Sequence, residues 1–180
     1  KTKMSSNPDD NTMFLDEVTT AQKYADELNS QGVERVILLS HYGYENDLAL
    51  AQKTSGIDII VGGDSHSLLG DLSDLGLKPS GSYPTMVNDA SGNDVCVVTA
   101  WQYSQIVGEL HAEFDGQGNI TSCMGTPHMM LADSFKRKNA EGERVEIEDG
   151  YRDAVYSIIK VNPSLSCLLY TSDAADDVHR

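Results

Sequence analysis

Residues 35–70, RVILLSHYGYENDLALAQKTSGIDIIVGGDSHSLLG, carry the strongest signals of the fold in this sequence. It contains two short aliphatic runs, at residues 35–40 and residues 57–61, which are too short to be helices. Their continuous apolar character is typical of strands that are buried on both faces of a sheet. We therefore predict two buried strands with a segment between them that is long enough for a helix.

That intervening segment has the composition of a helix. Gly43 breaks the chain after the first strand, and either Asn46 or Asp47 can cap the start of a helix. Residues 48–53 are mostly good helix formers. Two parallel strands joined by a helix form a βαβ unit, which is right-handed in nearly all proteins. The predicted fold class is therefore α/β.

Potential metal ligands follow both predicted strands. His41 comes directly after the first strand, and Asp64 and His66 follow the second strand after a Gly62-Gly63 turn. Ligands of such sheets bind outside the carboxyl ends of the strands, so these three side chains are expected to converge. Each residue also has an ordinary interpretation as a loop or capping residue. The spacing alone leaves a metal site and a plain turn both open.

The order of the two motifs resembles a known family. S-H-Y-G at residues 40–43 is similar to the S/T-H-x-G motif of the 5′-nucleotidase family, and G-G-D-S-H at residues 62–66 is similar to its G-G-H-S/T-H/Q/N motif. The family includes UDP-sugar hydrolases and 2′,3′-cyclic nucleotide phosphodiesterases. The resemblance covers residues 14–165. It implies the C-terminal half of a calcineurin-like metallophosphoesterase domain, in which a parallel βαβ portion and an antiparallel meander form a two-sheet sandwich with flanking helices.

The resemblance also implies a site for two divalent metal ions, such as zinc or manganese. His41 and Asp64 would ligate one ion, and His66 would ligate the other. Asp64 stands where the family usually has histidine, and carboxylate oxygen suits manganese or magnesium better than zinc. This difference shifts the metal preference or marks a subfamily, and NAD-nucleotidase-like members are similar to the chain here. No catalytic residue is assigned, because the family's earlier D-x-H, G-D and G-N-H-D/E motifs have no match in this chain.

For the intact protein, the resemblance implies metal-assisted hydrolysis of nucleotide phosphate esters in the periplasm or outside the cell. This chain alone is expected to be inactive. Two alternatives remain open: a non-catalytic binding or scaffold domain of the same fold, and a hydrolase relative that acts on a sulfur ester. The substrate is not resolved, because in the family a separate C-terminal domain recognises the base.

Sequence outside the central stretch predicts further elements. An amphipathic helix is predicted at residues 16–31, and a long surface loop at residues 71–93. Three strands are predicted at residues 94–100, 106–114 and 120–123, where they would form the antiparallel meander.

Two cysteines and two aromatic residues belong to this predicted meander. Cys96 and Cys123 fall on neighbouring strands and either form a disulfide, as a secreted enzyme would permit, or remain buried thiols. Trp101 and Tyr103 are expected to pack rather than to stack on a substrate. The family stacks the base on aromatic residues of its separate substrate domain.

The chain divides into four predicted segments. Residues 1–13 are a polar loop, and residues 14–149 are the partial metallophosphoesterase domain. Residues 150–165 are a linker helix that leads towards the substrate domain. Residues 166–180, which include Cys167, resemble translated adaptor sequence and are expected not to pack with the domain.

Charge and hydropathy narrow the classes of partner. A net charge of −15 over 180 residues argues against nucleic acid or an anionic membrane surface as a partner. Phosphate esters stay compatible with this charge, because two bound dications would dominate the local field. No apolar run reaches the ~20 residues of a transmembrane helix. The chain begins Lys-Thr-Lys and is expected to be an internal fragment, which leaves the compartment open.

Overall fold

The computed structural model describes residues 7–72, 77–130, 136–138 and 140–146. Among these residues the strands form three sheets, with orders β1-β2-β4-β3, β5-β6 and β7-β8. The elements are α1 (Glu17–Ser30), β1 (Ile37–Leu39), α2 (Tyr44–Ala51), β2 (Ile59–Gly62), β3 (Thr85–Asn88), β4 (Asp94–Thr99), β5 (Ile106–Phe114), β6 (Ile120–Met129), β7 (Lys136–Lys138) and β8 (Arg144–Glu146).

The predicted βαβ unit is present, and the α/β fold class is confirmed. β1 and β2 are parallel, with Ile37 opposite Ile59 and Leu39 opposite Val61, and α2 connects them. The main core lies between this sheet and the two helices. Its buried members are Ala25, Val36, Tyr44, Leu50, Ala51, Ile57, Ile60, Leu69, Val95 and Val97.

The prediction that β4 belongs to the antiparallel meander is wrong. β4 lies in the first sheet, where it pairs in parallel with β2 and antiparallel with β3. All of its residues after Asp94 are buried, as expected for a central strand with neighbours on both sides. The continuous apolar run DVCVVT fits this environment better than the alternating pattern of a half-exposed meander strand.

The predicted loop at residues 71–93 contains a strand. β3 lies within it and forms one edge of the first sheet. Its side chains alternate between partly buried and exposed. Because the strand has only four residues, this alternation gives a weak sequence signal for a strand. Leu69 also forms an isolated bridge with Gly81, which ties the start of the loop to its middle.

The expected burial of β1 on both faces is wrong. Ile37 is 57% exposed and Leu39 is 78% exposed, because β1 forms the other edge of the sheet among the described strands. A groove of about 630 Å³ runs between α1 and β1. It is lined partly by Tyr24, Ala25 and Leu28. This chain therefore presents an apolar face beside an open strand edge.

The predicted first helix is confirmed to within one residue at each end. Asp16 is its N-cap, and its carboxylate accepts a hydrogen bond of 2.8 Å from the Thr19 amide. That hydrogen bond lowers the pKa of the Asp16 carboxyl. The helix packs through Val18, Ala21 and Ala25, whose spacing places them on one face, as expected for an amphipathic helix.

Of the two states left open for Cys96 and Cys123, the disulfide is present, with Cα atoms 6.5 Å apart. Because Cys96 is on β4 and Cys123 is on β6, the bond joins the four-stranded sheet to the β5-β6 sheet, and not two strands of one meander. It lies in a small core cluster with Ile59 and Ile120. The disulfide thus holds the β5-β6 sheet against the sheet that carries the candidate site.

Removing this bond is expected to lower the free energy of unfolding substantially. Closing a loop with a sequence separation of 27 residues stabilises the folded state by about 3.5 kcal/mol in the chain-entropy model. Urea unfolding of a Cys96→Ser, Cys123→Ser double variant should show this loss. Reduction of the wild-type chain should lower its stability similarly and leave the variant unchanged. Equal unfolding midpoints with and without reductant would contradict the role of the bond.

Several sequence predictions fall on residues that the structure does not describe. These are the linker helix at residues 150–165, the non-packing tail at residues 166–180, and the first six residues of the polar loop. They stay predictions. Within the described part of the chain, no helix has the length and apolar character needed to cross a membrane.

Candidate metal centre

The loops after β1 and β2 leave the same edge of the parallel sheet. The Ser40 amide donates a 2.9 Å hydrogen bond to the Val61 carbonyl, which extends the β1-β2 pairing by one residue. His41 is therefore the first residue beyond the paired region. β2 ends at Gly62, and the chain then turns through Gly63 towards Asp64.

His41 and Asp64 lie side by side, as predicted from their positions in sequence. The His41 Nε2 atom is 3.6 Å from Asp64 Oδ1, and the histidine side chain is 83% exposed whereas that of Asp64 is 17% exposed. The two loops are in close contact. A Cβ atom built on Gly63 would lie 3.1 Å from His41 Nδ1, and one built on Gly43 would lie 3.6 Å from Asp64 Oδ2.

His66 stands apart from this pair in its contacts. Its ring packs edge-on against Tyr103, with ring centroids 5.0 Å apart and an interplanar angle of 65°. Within the described part of the chain, no group of three or more histidine, cysteine, aspartate or glutamate side chains is placed to hold a metal ion. The metal-ligating role of His41, Asp64 and His66 therefore stays a prediction.

The His41–Asp64 pair fits part of a coordination shell. Two ligand atoms about 2.1 Å from one ion at a tetrahedral angle lie about 3.4 Å apart. The observed separation of 3.6 Å between the imidazole nitrogen and the carboxylate oxygen is close to this value. Imidazole and carboxylate are suitable ligands for zinc, and carboxylate also suits manganese. The pair can thus supply two ligands to one divalent ion.

Comparison with known proteins gives a consistent result, although no family model matches the chain. A probable 5′-nucleotidase of Treponema pallidum is 39% identical over 168 residues, which are 92% of this chain. The solved 5′-nucleotidase precursor of Thermus thermophilus covers 69% of the chain with a TM-score of 0.66 and 43% identity. The solved NAD nucleotidase of Haemophilus influenzae covers 94% with a TM-score of 0.74 and 32% identity. This chain belongs to the 5′-nucleotidase family.

The family resemblance read from the two motifs is thereby confirmed, and so is the mixed-sheet architecture with flanking helices. The 5′-nucleotidase-family chain spans only part of its relatives. It covers 28% of the Treponema protein, 24% of the Thermus chain and 32% of the Haemophilus chain. The activity and substrate of the whole protein are therefore matters for proposal.

Unusual backbone conformations mark two neighbouring loops of this 5′-nucleotidase-family chain. Asp64 and His66, after β2, have φ angles of 72° and 51°. Trp101, Tyr103 and Ser104, after β4, have φ angles of 60°, 48° and 56°. Positive φ is uncommon for residues other than glycine, and such residues concentrate at functional sites. Because β2 and β4 are adjacent and parallel, both loops leave the sheet at the edge that carries the candidate site.

The prediction that Asn46 or Asp47 caps α2 is wrong. The N-cap is Gly43, whose φ of 99° is accessible mainly to glycine, and it makes no side-chain capping hydrogen bond. The Tyr44 amide instead donates to the Ser65 hydroxyl at 3.0 Å. The loop after β2 thus satisfies a backbone donor at the start of the helix that follows β1. This bond helps to keep the two candidate ligand loops together.

Sequence reasoning missed two residues near the site. Asp47 is fully buried beneath it, and the only available signal was its position four residues after Gly43 of the S-H-Y-G motif. Tyr103 was predicted to be a packing residue, but it is 65% exposed and contacts His66. Trp101 packs, as predicted, against a core cluster that consists of Leu68, Leu72, Ile106 and Met129.

Gly62 leaves no room for a side chain, and its replacement provides a test of this packing. A Cβ atom built there would collide with Asp47 Oδ2. Gly62→Ala should therefore lower the free energy of unfolding by about 1–3 kcal/mol, the usual cost of overpacking. Gly116→Ala is the matched control, because a Cβ atom there meets nothing within 4 Å. Equal denaturation midpoints for the two variants would contradict the close packing at Gly62.

Proposed function

We propose that the complete protein is a metal-dependent phosphoesterase that hydrolyses nucleotide phosphate esters. The observation that carries this proposal is the close approach of His41 and Asp64 at the carboxyl edge of a parallel sheet, in a chain of the 5′-nucleotidase family. A histidine nitrogen and a carboxylate oxygen from two separate loops lie 3.6 Å apart here. Such an arrangement suits the capture of a divalent cation.

In this proposal, the chain contributes ligands to two divalent ions, which are zinc, manganese or similar metals. His41 and Asp64 hold one ion, and His66 contributes to the other. Such ions lower the pKa of water and offset negative charge on phosphoryl oxygens. The side chain of His41 is exposed and can be approached from solvent, whereas that of Asp64 is largely buried. The sheet edge and its two loops orient both side chains.

The substrate class follows from the relatives. Two of the similar proteins are named 5′-nucleotidases, and one similar structure is named an NAD nucleotidase. We propose a nucleotide phosphate ester as the substrate rather than nucleic acid, because the net charge of −15 disfavours a polyanionic backbone. The Asp64 variant of the glycine-rich motif makes NAD a compound to assay alongside nucleoside monophosphates.

A hydrolysis assay on the complete protein tests this function. The protein translated from the full reading frame around this chain is treated with a chelator, dialysed, and assayed with AMP and NAD. We expect phosphate or nucleotide release that returns on addition of manganese or zinc. Binding of the metal without any metal-stimulated hydrolysis would instead favour a non-catalytic binding or scaffold domain. Turnover of a sulfur ester but not of either nucleotide would favour the sulfur-ester alternative.

We further propose that the protein works in the periplasm or outside the cell. The Cys96–Cys123 bond supports this location, because disulfides persist in oxidising compartments and are rare in the cytosol. Alkylation of protein from freshly lysed native cells, trapped with acid, provides the test. Protection of both cysteines is the expected result. Full alkylation before reduction would contradict an oxidising compartment.

A further inference from the structure

Asp47 is a buried carboxylate directly beneath the candidate metal centre. It lies in the first turns of α2 and is 0% exposed. One of its oxygens, Oδ1, accepts a hydrogen bond from the Ser40 hydroxyl. The other, Oδ2, is buried and has no hydrogen-bond partner within the described part of the chain. Buried polar groups are nearly always satisfied, so an orphaned carboxylate oxygen needs a reason.

One side of Asp47 reaches the loop that carries His41. The Ser40 hydroxyl donates to the Asp47 carboxylate and accepts a 3.1 Å hydrogen bond from the Tyr42 amide. These two bonds involve the residues on either side of His41. They use the single hydroxyl proton and one lone pair of Ser40, so they fix the rotation of that hydroxyl. Asp47 thereby sets the backbone turn from which the His41 ring projects.

The other side of Asp47 reaches the loop that carries Asp64. Its Oδ2 atom occupies the space that a side chain would take at Gly62, two residues before Asp64. Burial raises the pKa of the Asp47 carboxyl, the bond from Ser40 opposes this shift, and the charge of Asp64 adds to it. The two carboxyl groups are thus close enough to interact electrostatically. One buried side chain therefore touches both segments that lead to the candidate ligands.

We propose that Asp47 is a positioning residue of the metal centre, which holds His41 through Ser40 and Asp64 through Gly62 at the separation a divalent ion requires. Groups behind metal ligands commonly fix their orientation, and losing such a group costs about 10–100-fold in metal affinity. The metal part of this inference rests on the proposed function. The placement of the His41 ring does not, and it can be measured without metal.

Variants at three positions of the complete protein test the proposal. Asp47→Ala removes the acceptor for Ser40, and Ser40→Ala removes only the hydroxyl between the two. Asp47→Asn keeps an oxygen acceptor and nearly the same size. Asp58→Ala is the control, because Asp58 is a partly buried carboxylate that accepts a 2.7 Å hydrogen bond from the Val36 amide at the opposite end of β2. Each variant is first checked for folding by thermal unfolding without metal.

Two measurements then decide the question. In metal-free protein with labelled histidine rings, the NMR signals of His41 should shift in Asp47→Ala and Ser40→Ala. They should return towards wild type in Asp47→Asn and stay unchanged in Asp58→Ala. Affinity for manganese, measured by the EPR signal of the free ion, should fall about 10–100-fold in Asp47→Ala and recover most of the loss in Asp47→Asn.

The outcomes that overturn the proposal are distinct from those that overturn the function. Unchanged His41 signals in both Asp47→Ala and Ser40→Ala would overturn the positioning role, and so would an equal shift in Asp58→Ala. If Asp47→Ala fails to fold, the Ser40→Ala comparison decides alone. A wild-type protein without measurable manganese affinity would reject the proposed metal function, while the His41 signals would still decide the role of Asp47.

Discussion

His41→Ala in the complete protein is expected to lower metal-dependent hydrolysis on the order of a hundredfold or more. Loss of a group behind a metal ligand already costs about 10–100-fold, and loss of the ligand itself should cost at least as much. The effect should be large because His41 Nε2 faces Asp64 Oδ1 across 3.6 Å, and alanine leaves the carboxylate as the remaining member of the pair. Initial rates at saturating AMP, measured across a manganese titration, would show the loss.

A second exposed histidine provides the control for this experiment. His111 is 71% exposed on β5, where its ring nitrogen lies 2.7 Å from the Glu109 carboxylate. His111→Ala should retain nearly full hydrolysis, since β5 belongs to the second sheet and carries none of the candidate ligands. If His41→Ala keeps the wild-type rate and the wild-type metal dependence, His41 is not a ligand of the reactive centre.

The second large effect is expected for this chain on its own, whose hydrolysis should be close to background. A zinc-like ion in a catalytic site needs about three protein ligands, and the described residues bring no group of three together. Metal binding is therefore expected to be weak, and the water-activating chemistry is lost with it. The open edge at β1, with Ile37 and Leu39 exposed, should also promote association between copies.

This expectation is tested by purifying the chain and assaying it beside the complete protein at equal molar concentration. Manganese or zinc is added, nucleoside monophosphates serve as substrates, and gel filtration reports the state of association. We expect turnover from the complete protein only, and early elution of the chain. Metal-dependent turnover by the chain that His66→Ala abolishes would show that its site is complete.

The sequence alone predicted the part of the fold that places the candidate site. Two short aliphatic runs separated by a helical segment predict parallel strands, because a helical crossover joins two parallel strands of one sheet. The position of His41 after one run and Asp64 after the next then follows from the geometry of a parallel sheet. The 3.6 Å distance between the two side chains in the structure agrees with that prediction.

Strand pairing and edges were harder to predict, since they depend on which neighbours a strand has. The run at β4 is buried because it lies between β2 and β3, and the sequence does not encode that order locally. β3 is a short edge strand with weak alternation, and the residues around it favour turns, so the sequence predicted a loop there. β1 has the composition of a buried strand but lies at an edge of the described sheet.

The positions of Asp47 and Tyr103 next to the candidate site could also not be predicted from the sequence. Aspartate is a common helix-capping residue, so the sequence suggested a cap at Asp47. Only the structure shows that Asp47 is buried between Ser40 and Gly62. Tyr103 belongs to a loop far along the chain from His66, and the parallel pairing of β2 with β4 brings them together. Such contacts arise from tertiary structure, and the local propensities of the sequence do not predict them.

We propose that His41 and Asp64 together hold a divalent ion at the carboxyl edge of the sheet. Anomalous diffraction from crystals of the complete protein grown with manganese tests it most directly. We expect an anomalous peak about 2.0–2.2 Å from both His41 Nε2 and a carboxylate oxygen of Asp64. Manganese bound elsewhere in the protein, with no peak between these two side chains, would contradict the claim.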